Sequence, residues 1–143
     1  MLEKEEILGY NWGTDESEID YAALHQNRCK ILQKAFERFD TNAQEFQDFV
    51  KKQSEWLEQY ALFMTLKADN LYKNWSEWPS EYRNPQAVAL EKYQKKNYNT
   101  ITFWKFCQYK FFEQWEDLKN YANSKGIYII GDASFYVGYD SVD

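Results

Sequence analysis

The sequence predicts a mostly α-helical fold, and three observations carry that prediction. Apolar residues recur at helical spacing over long stretches, most clearly in 54–71 and 100–124. Chain breakers are scarce, with 2 Pro and 5 Gly among 143 residues, too few for a fold of many short strands and tight turns. Only Ile127–Ile130 reads as sheet.

The elements follow in order. Residues 1–17 form an approach segment, with a short helical turn near Leu2–Leu8 and a loop at Tyr10-Asn11-Trp12-Gly13-Thr14. Asp20 can cap a helix that runs to about Phe39, with Leu24, Cys29, Ile31, Leu32, Ala35, Phe36 and Phe39 at near-helical spacing. Asp40-Thr41-Asn42 breaks that run and can cap a second helix that buries Phe46, Phe49 and Val50. Ser54 opens a third, whose stripe includes Trp56, Leu57, Tyr60, Ala61, Phe63, Met64 and Leu71. Asn74–Pro79 is a loop or single turn, because Pro79 biases Trp78 away from the helical region. Pro85 suits the first turn of a polar helix over 85–97.

The longest helix is expected from about Thr100 to Ser124. Ile101, Trp104, Cys107, Phe111, Trp115, Leu118 and Ala122 make one stripe, widened by Phe103, Phe112 and Tyr121. So broad an arc implies more than one neighbour. Tyr60, Trp104 and Trp115 lie on such stripes and are expected in the core. Gly126 suits the left-handed position after the last turn. Four apolar residues then follow, which is the pattern of a strand buried on both faces and hence parallel. Asp132 stands at its carboxyl end, where barrels of alternating strands and helices place active-site residues. Parallel strands need neighbours, and no other segment reads as one.

Composition narrows the function. The net charge is −6, which repels phosphate backbones and argues against nucleic acid as a partner. Lys95 and Lys96 read as a solvated helix end. The 6 Trp, 12 Tyr and 10 Phe suit either stacking on sugar rings or a crowded core. Cys29 and Cys107 fit no metal-ligand or redox spacing and read as small buried hydrophobes of a cytoplasmic protein. Neither a signal peptide nor a membrane span is recognised.

Several motifs together resemble the amylomaltase, or disproportionating-enzyme, family of 4-α-glucanotransferases, glycoside hydrolase family 77 of the α-amylase clan. They are the Tyr60-Ala61-Leu62-Phe63-Met64-Thr65-Leu66-Lys67 stretch, the Trp75-Ser76-Glu77-Trp78-Pro79 loop, and Phe111-Phe112-Glu113-Gln114-Trp115 with Leu118-Lys119-Asn120-Tyr121-Ala122-Asn123. Ile129-Ile130-Gly131-Asp132, Tyr136-Val137 and Tyr139-Asp140-Ser141 complete the series. The resemblance implies a (β/α)8 barrel with a helical insert subdomain. Residues 1–125 would be that insert and the helix leading out of it. Residues 126–143 would hold the third barrel strand, at about 127–132, and the start of the active-site loop. It implies transfer of an α-1,4-glucan segment to the 4-hydroxyl of glucose or another glucan by a retaining two-carboxylate mechanism. No metal or organic cofactor is required for that chemistry. Partners would be α-1,4-glucans and maltooligosaccharides, with neither nucleic acid nor membrane.

In similar enzymes the nucleophile and acid/base lie on later strands, so the chain is expected to be an incomplete fragment, inactive alone, and no catalytic residue is assigned in it. Ala133 and Ser134 replace the usual aliphatic-Pro pair, Phe135 stands where Ile is common and Gly138 where Ala is common. Losing that Pro frees a dihedral and adds an N–H that needs a partner.

Site candidates carry structural alternatives. Asp132 lines the active site under the resemblance, or caps a strand end. Trp75, Trp78 and Tyr136 are candidate sugar contacts, although packing of the loop onto the helices explains the two tryptophans as well. Asp140 and Asp143 read as polar loop residues rather than partners of Asp132. His25, the one histidine, reads as a surface helix residue. The rival readings are a stand-alone helical interaction module and a glucan-binding remnant. An unpaired apolar strand also predicts self-association, against which a monodisperse monomer in sedimentation would count.

Overall fold

The computed structural model describes residues 2–13, 15, 17–84, 88–133 and 135–142. The expectations placed on Thr14, Pro85, Ser134 and Asp143 lie outside these residues. Six α-helices are described: α1 (Lys4–Leu8), α2 (Tyr21–Phe36), α3 (Gln44–Lys52), α4 (Ser54–Asp69), α5 (Val88–Lys96) and α6 (Tyr98–Ser124). Single 3₁₀ turns occur at Trp75–Glu77 and Ser80–Tyr82. The chain divides into two compact units, Met1–Ala43 and Gln44–Asp143, and no described helix is long and apolar enough to cross a membrane.

In the first unit the Asp20 carboxylate accepts the Ala23 N–H at 2.9 Å, so it caps α2 as its position suggests. The helix stops at Phe36 rather than Phe39, because the next residues tighten: Arg38 and Phe39 N–H groups donate to the Ala35 and Phe36 carbonyls at 3.2 and 2.9 Å. Asp40 accepts from the Asn42 N–H at 2.9 Å and so organises a turn ahead of α3 rather than its first helical turn. His25 is exposed on α2.

A charge cluster clasps α1. Glu6 receives both Arg38 guanidinium nitrogens at 2.7 Å, Lys34 Nζ at 2.6 Å and the Glu3 N–H at 3.0 Å. The Arg38 and Lys34 hydrogen bonds hold the Glu6 carboxyl far below the usual carboxylate range. A depressed carboxyl stabilises the fold above its unfolded value, about 4.3, and that contribution fades as pH falls toward the folded value. Trp12 reports on it, because its indole N–H donates to the Ile7 carbonyl in α1 at 2.7 Å. Glu6→Gln is expected to speed exchange of the Trp12 indole proton several-fold at pH 7, read by NMR. In the parent protein the same loss is expected only on acidification below the ordinary carboxylate range. An indole proton indifferent to both changes would disprove the clasp.

The second unit is built on α4 and α6. The two pack along each other, and α3 and α5 flank α6. At one end, Phe46 and Phe49 of α3 meet the Tyr109 ring at 5.5 and 5.4 Å, and Trp56 of α4 stacks on Phe112 at 5.9 Å. Phe46, Leu57, Ala61 and Phe106 are fully or almost fully buried there. A second cluster gathers Leu66, Trp78, Leu90 and Tyr93, with Leu62, Phe63, Trp75 and Tyr82 packed against it. Spacing at i, i+3 and i+4 along α4 serves both clusters from one helix.

Two helices end in the same way with different residues. After α6, Gly126 adopts φ 75°; its N–H donates to the Asn123 carbonyl, and the Ile127 N–H to the Ala122 carbonyl, both at 3.0 Å. After α4, Leu71 takes the equivalent place at φ 57°, with Leu71 and Tyr72 N–H groups donating to Ala68 and Lys67 carbonyls at 3.1 and 2.8 Å. Both are Schellman stops, which favour glycine because a Cβ is strained in the left-handed region. Leu71 is 80% exposed, so little burial opposes its removal. Leu71→Gly is therefore expected to stabilise the unit by about 0.5–1 kcal/mol in urea unfolding, net of glycine's greater unfolded freedom. Gly126→Ala meets no atom within 4 Å and is expected to cost about 1 kcal/mol from the dihedral alone. Equal stability of Leu71→Gly and parent would contradict this.

Two expectations are corrected, one on each side of Gly126. The segment 127–132 is irregular, not a buried strand, and Ile127, Tyr128, Ile129 and Ile130 are 60%, 82%, 44% and 94% exposed. No strand exists among the described residues to offer it a hydrogen-bonding edge, and a parallel strand does not form alone. The broad stripe of α6 is buried only in its first half: Phe111, Trp115, Leu118 and Tyr121 are exposed. Trp115 is thus not a core residue here, because α6 runs on past the helices that cover its beginning. Tyr60 is half-buried and Trp104 is buried. Cys29 and Cys107 are half-buried free thiols.

Candidate functional site

The 74–79 loop forms as a capped turn. Asn74 Oδ1 accepts the Ser76 N–H at 3.0 Å and the Ser76 hydroxyl at 2.9 Å, which starts the 3₁₀ turn. Trp78 then becomes extended (φ −68°, ψ 161°), as a residue before proline must. The turn aims both tryptophans back at α4.

Between α4, this loop, α5 and the segment 137–142 lies a groove of about 880 Å³. Leu62, Phe63, Leu66, Trp75, Trp78 and Tyr139 give it apolar and aromatic walls, and Glu58, Gln59, Arg83 and Gln94 supply polar edges. The size is typical of small-molecule sites. Both indole N–H groups are already used: that of Trp78 donates to the Lys73 carbonyl at 3.2 Å, that of Trp75 to the Tyr139 carbonyl at 2.7 Å. Tyr93 closes the inner cluster, its hydroxyl donating to Asp69 at 2.5 Å. Burial, then that hydrogen bond, pushes the Tyr93 phenol well above its usual range.

One polar knot fixes the groove's outer wall. Lys67, at the end of α4, donates to the Lys73 carbonyl at 3.1 Å and to the Asp140 carboxylate. The Trp75 backbone N–H donates to Asp140 Oδ1 at 3.1 Å, and the Trp75 and Tyr139 rings meet at 5.4 Å. The Lys67 hydrogen bond first, and the Trp75 N–H with it, hold the Asp140 carboxyl below the usual carboxylate range.

The sequence candidates separate clearly against this geometry. Trp75 and Trp78 come together in the groove walls. Trp78 is only 5% exposed and its ring lies 5.2 Å from Phe63, a packing position. Trp75 is half-buried with Tyr139 over its ring. Asp132 and Tyr136 are exposed and belong to neither the groove nor the knot. Asp140 is engaged with Lys67 rather than with Asp132. Lys67 and Tyr139 were not site candidates, although both lie inside the family-like motifs; a lysine closing an apolar stripe was the available signal.

A helical unit built on these motifs is part of an amylomaltase fold. The structure matches the amylomaltase from Streptococcus agalactiae, solved in complex with acarbose, with a TM-score of 0.89 and 34% identity, over 99% of this chain and 29% of that one. The 4-alpha-glucanotransferase of Clostridium butyricum is 35% identical over 144 residues, and that of Streptococcus pneumoniae 38% identical over 148. Residues 2–143 match the 4-alpha-glucanotransferase family model. The chain belongs to the 4-alpha-glucanotransferase family, and it spans about 30% of the length of these relatives.

Proposed function

We propose that the chain is one part of a 4-α-glucanotransferase that moves a segment of an α-1,4-glucan to the 4-hydroxyl of glucose or another glucan. The reaction is a retaining double displacement: one carboxylate forms a glycosyl–enzyme intermediate while a protonated partner serves the leaving oxygen. A sugar hydroxyl then takes the place of water. Both catalytic carboxylates come from parts of the enzyme outside this chain. Residues 1–125 supply its helical insert and the barrel helix that follows, and 126–143 supply the third barrel strand and the start of the active-site loop, with Asp132 lining the site. Tyr136, uncommitted at 94% exposure, is free to meet sugar, and Trp75 offers the groove side of its ring.

The observation that carries this reading is the 34%-identical amylomaltase structure, which follows 99% of the chain. The bare apolar surfaces of 127–130 and of the second half of α6 support it, because both need a sheet and further helices to cover them. The test is exchange of this chain for the matching segment of the Clostridium butyricum relative. The chimaera is expected to release glucose from maltotriose while the chain by itself releases none. A folded but inactive chimaera, or an active isolated chain, would overturn the proposal.

A further inference from the structure

We propose that Lys67, Trp75 and Asp140 form a latch by which the end of α4 positions the Asp132-bearing segment. This inference rests on the transferase reading, with Asp132 at the site. The segment leaves α6 at a fixed point, the Gly126 stop, and the described residues 127–138 beyond it are exposed. Its next fixed point is the Tyr139–Asp140 pair. There three bonds converge on two residues: Lys67 Nζ and the Trp75 N–H on the Asp140 carboxylate, and the Trp75 indole N–H on the Tyr139 carbonyl.

Lys67 is well suited to the task. Its side chain is 12% exposed, its Nζ lies 5.9 Å from the centre of the Phe63 ring, and it also bonds the Lys73 carbonyl ahead of the loop. One ammonium therefore ties helix end, tryptophan loop and Asp140 together. Charge-assisted bonds of this kind are the strong ones. A shift of about an ångström in a site-lining group lowers turnover by roughly a hundredfold. Lys67, Trp75 and Asp140 are accordingly positioning residues, not catalytic ones.

Asp140→Asn keeps the shape and removes the charge. In the isolated chain it is expected to raise exchange of the Trp75 indole proton about tenfold or more, as loss of a charged hydrogen bond implies. The Trp78 indole proton, bonded to Lys73, should stay near its parent rate, and Asp140→Glu should restore much of the Trp75 protection. In the chimaera described above, Asp140→Asn is expected to lower kcat about tenfold or more with KM for maltotriose little changed. Glu116→Gln, which breaks the separate Lys119–Glu116 pair on α6, should leave kcat unchanged. Unaltered Trp75 exchange in Asp140→Asn would overturn the latch, even if the chimaera proves inactive and only the transferase reading fails. Parent-like kcat in an active Asp140→Asn chimaera, or a kcat loss matched by a fallen Tm, would overturn its positioning role.

Discussion

Replacing Phe106 by alanine is expected to cost the 44–143 unit about 3–5 kcal/mol. Phe106 has no exposed surface and sits in the first half of α6, between buried Trp104 and half-buried Cys107. Removing its ring loses the transfer energy of the side chain and leaves a cavity, because α6 is held by α3, α4 and α5 and cannot readily collapse inward. A unit of about a hundred residues has roughly 5–15 kcal/mol of stability in all. This one leaves Phe111, Leu118 and Tyr121 bare, so its reserve lies toward the lower end. Phe111→Ala is the internal control. It makes the same chemical change on the same helix at a position 59% exposed, and is expected to cost under about 1 kcal/mol. Urea unfolding followed by far-UV circular dichroism separates the two. Similar midpoints for both variants would mean that the first half of α6 is not the core.

What the sequence made legible follows from distance along the chain. Asp20 capping α2, Ser54 opening α4 and Gly126 closing α6 are decided by residues within a few positions of one another, and all three form as read. The Leu71 stop was hidden because leucine carries no signal for a left-handed backbone; only the hydrogen bonds of the α4 terminus reveal it. Periodicity identified the apolar stripe of α6 correctly but not its fate. A stripe says which face seeks cover, not whether cover is present, and Trp115 is left 38% exposed. Ile127–Ile130 shows the same gap in sharper form, since a strand is a property of a pair. In the site, Trp75 and Trp78 were recognised as residues of interest, but the Lys67–Asp140 bond spans 73 positions. Neither residue's local pattern names the other, so Asp140 read as an ordinary polar loop residue.

Trp78→Ala is expected to lose about 3–5 kcal/mol, close to the Phe106 effect, because Trp78 is packed as a core residue. It is 5% exposed, shares a cluster with Leu66, Leu90 and Tyr93, and meets Phe63 at 5.2 Å. Its indole N–H also satisfies the Lys73 carbonyl at 3.2 Å. Trp78→Phe keeps most of the ring while losing that bond, and is expected to cost about 1–2 kcal/mol, the loss of one hydrogen bond and a small void. The pair of variants separates packing from sugar contact. A packing residue loses stability in proportion to the volume removed, and a maltoheptaose titration of the folded Phe variant should match the parent. A sugar platform gives the opposite pattern: near-parent unfolding in Trp78→Ala, with oligosaccharide binding abolished while the fold remains. Trp78 lines the groove, but at 5% exposure, with Phe63 against its ring and its N–H already bonded, it is placed for packing, and the first outcome is expected.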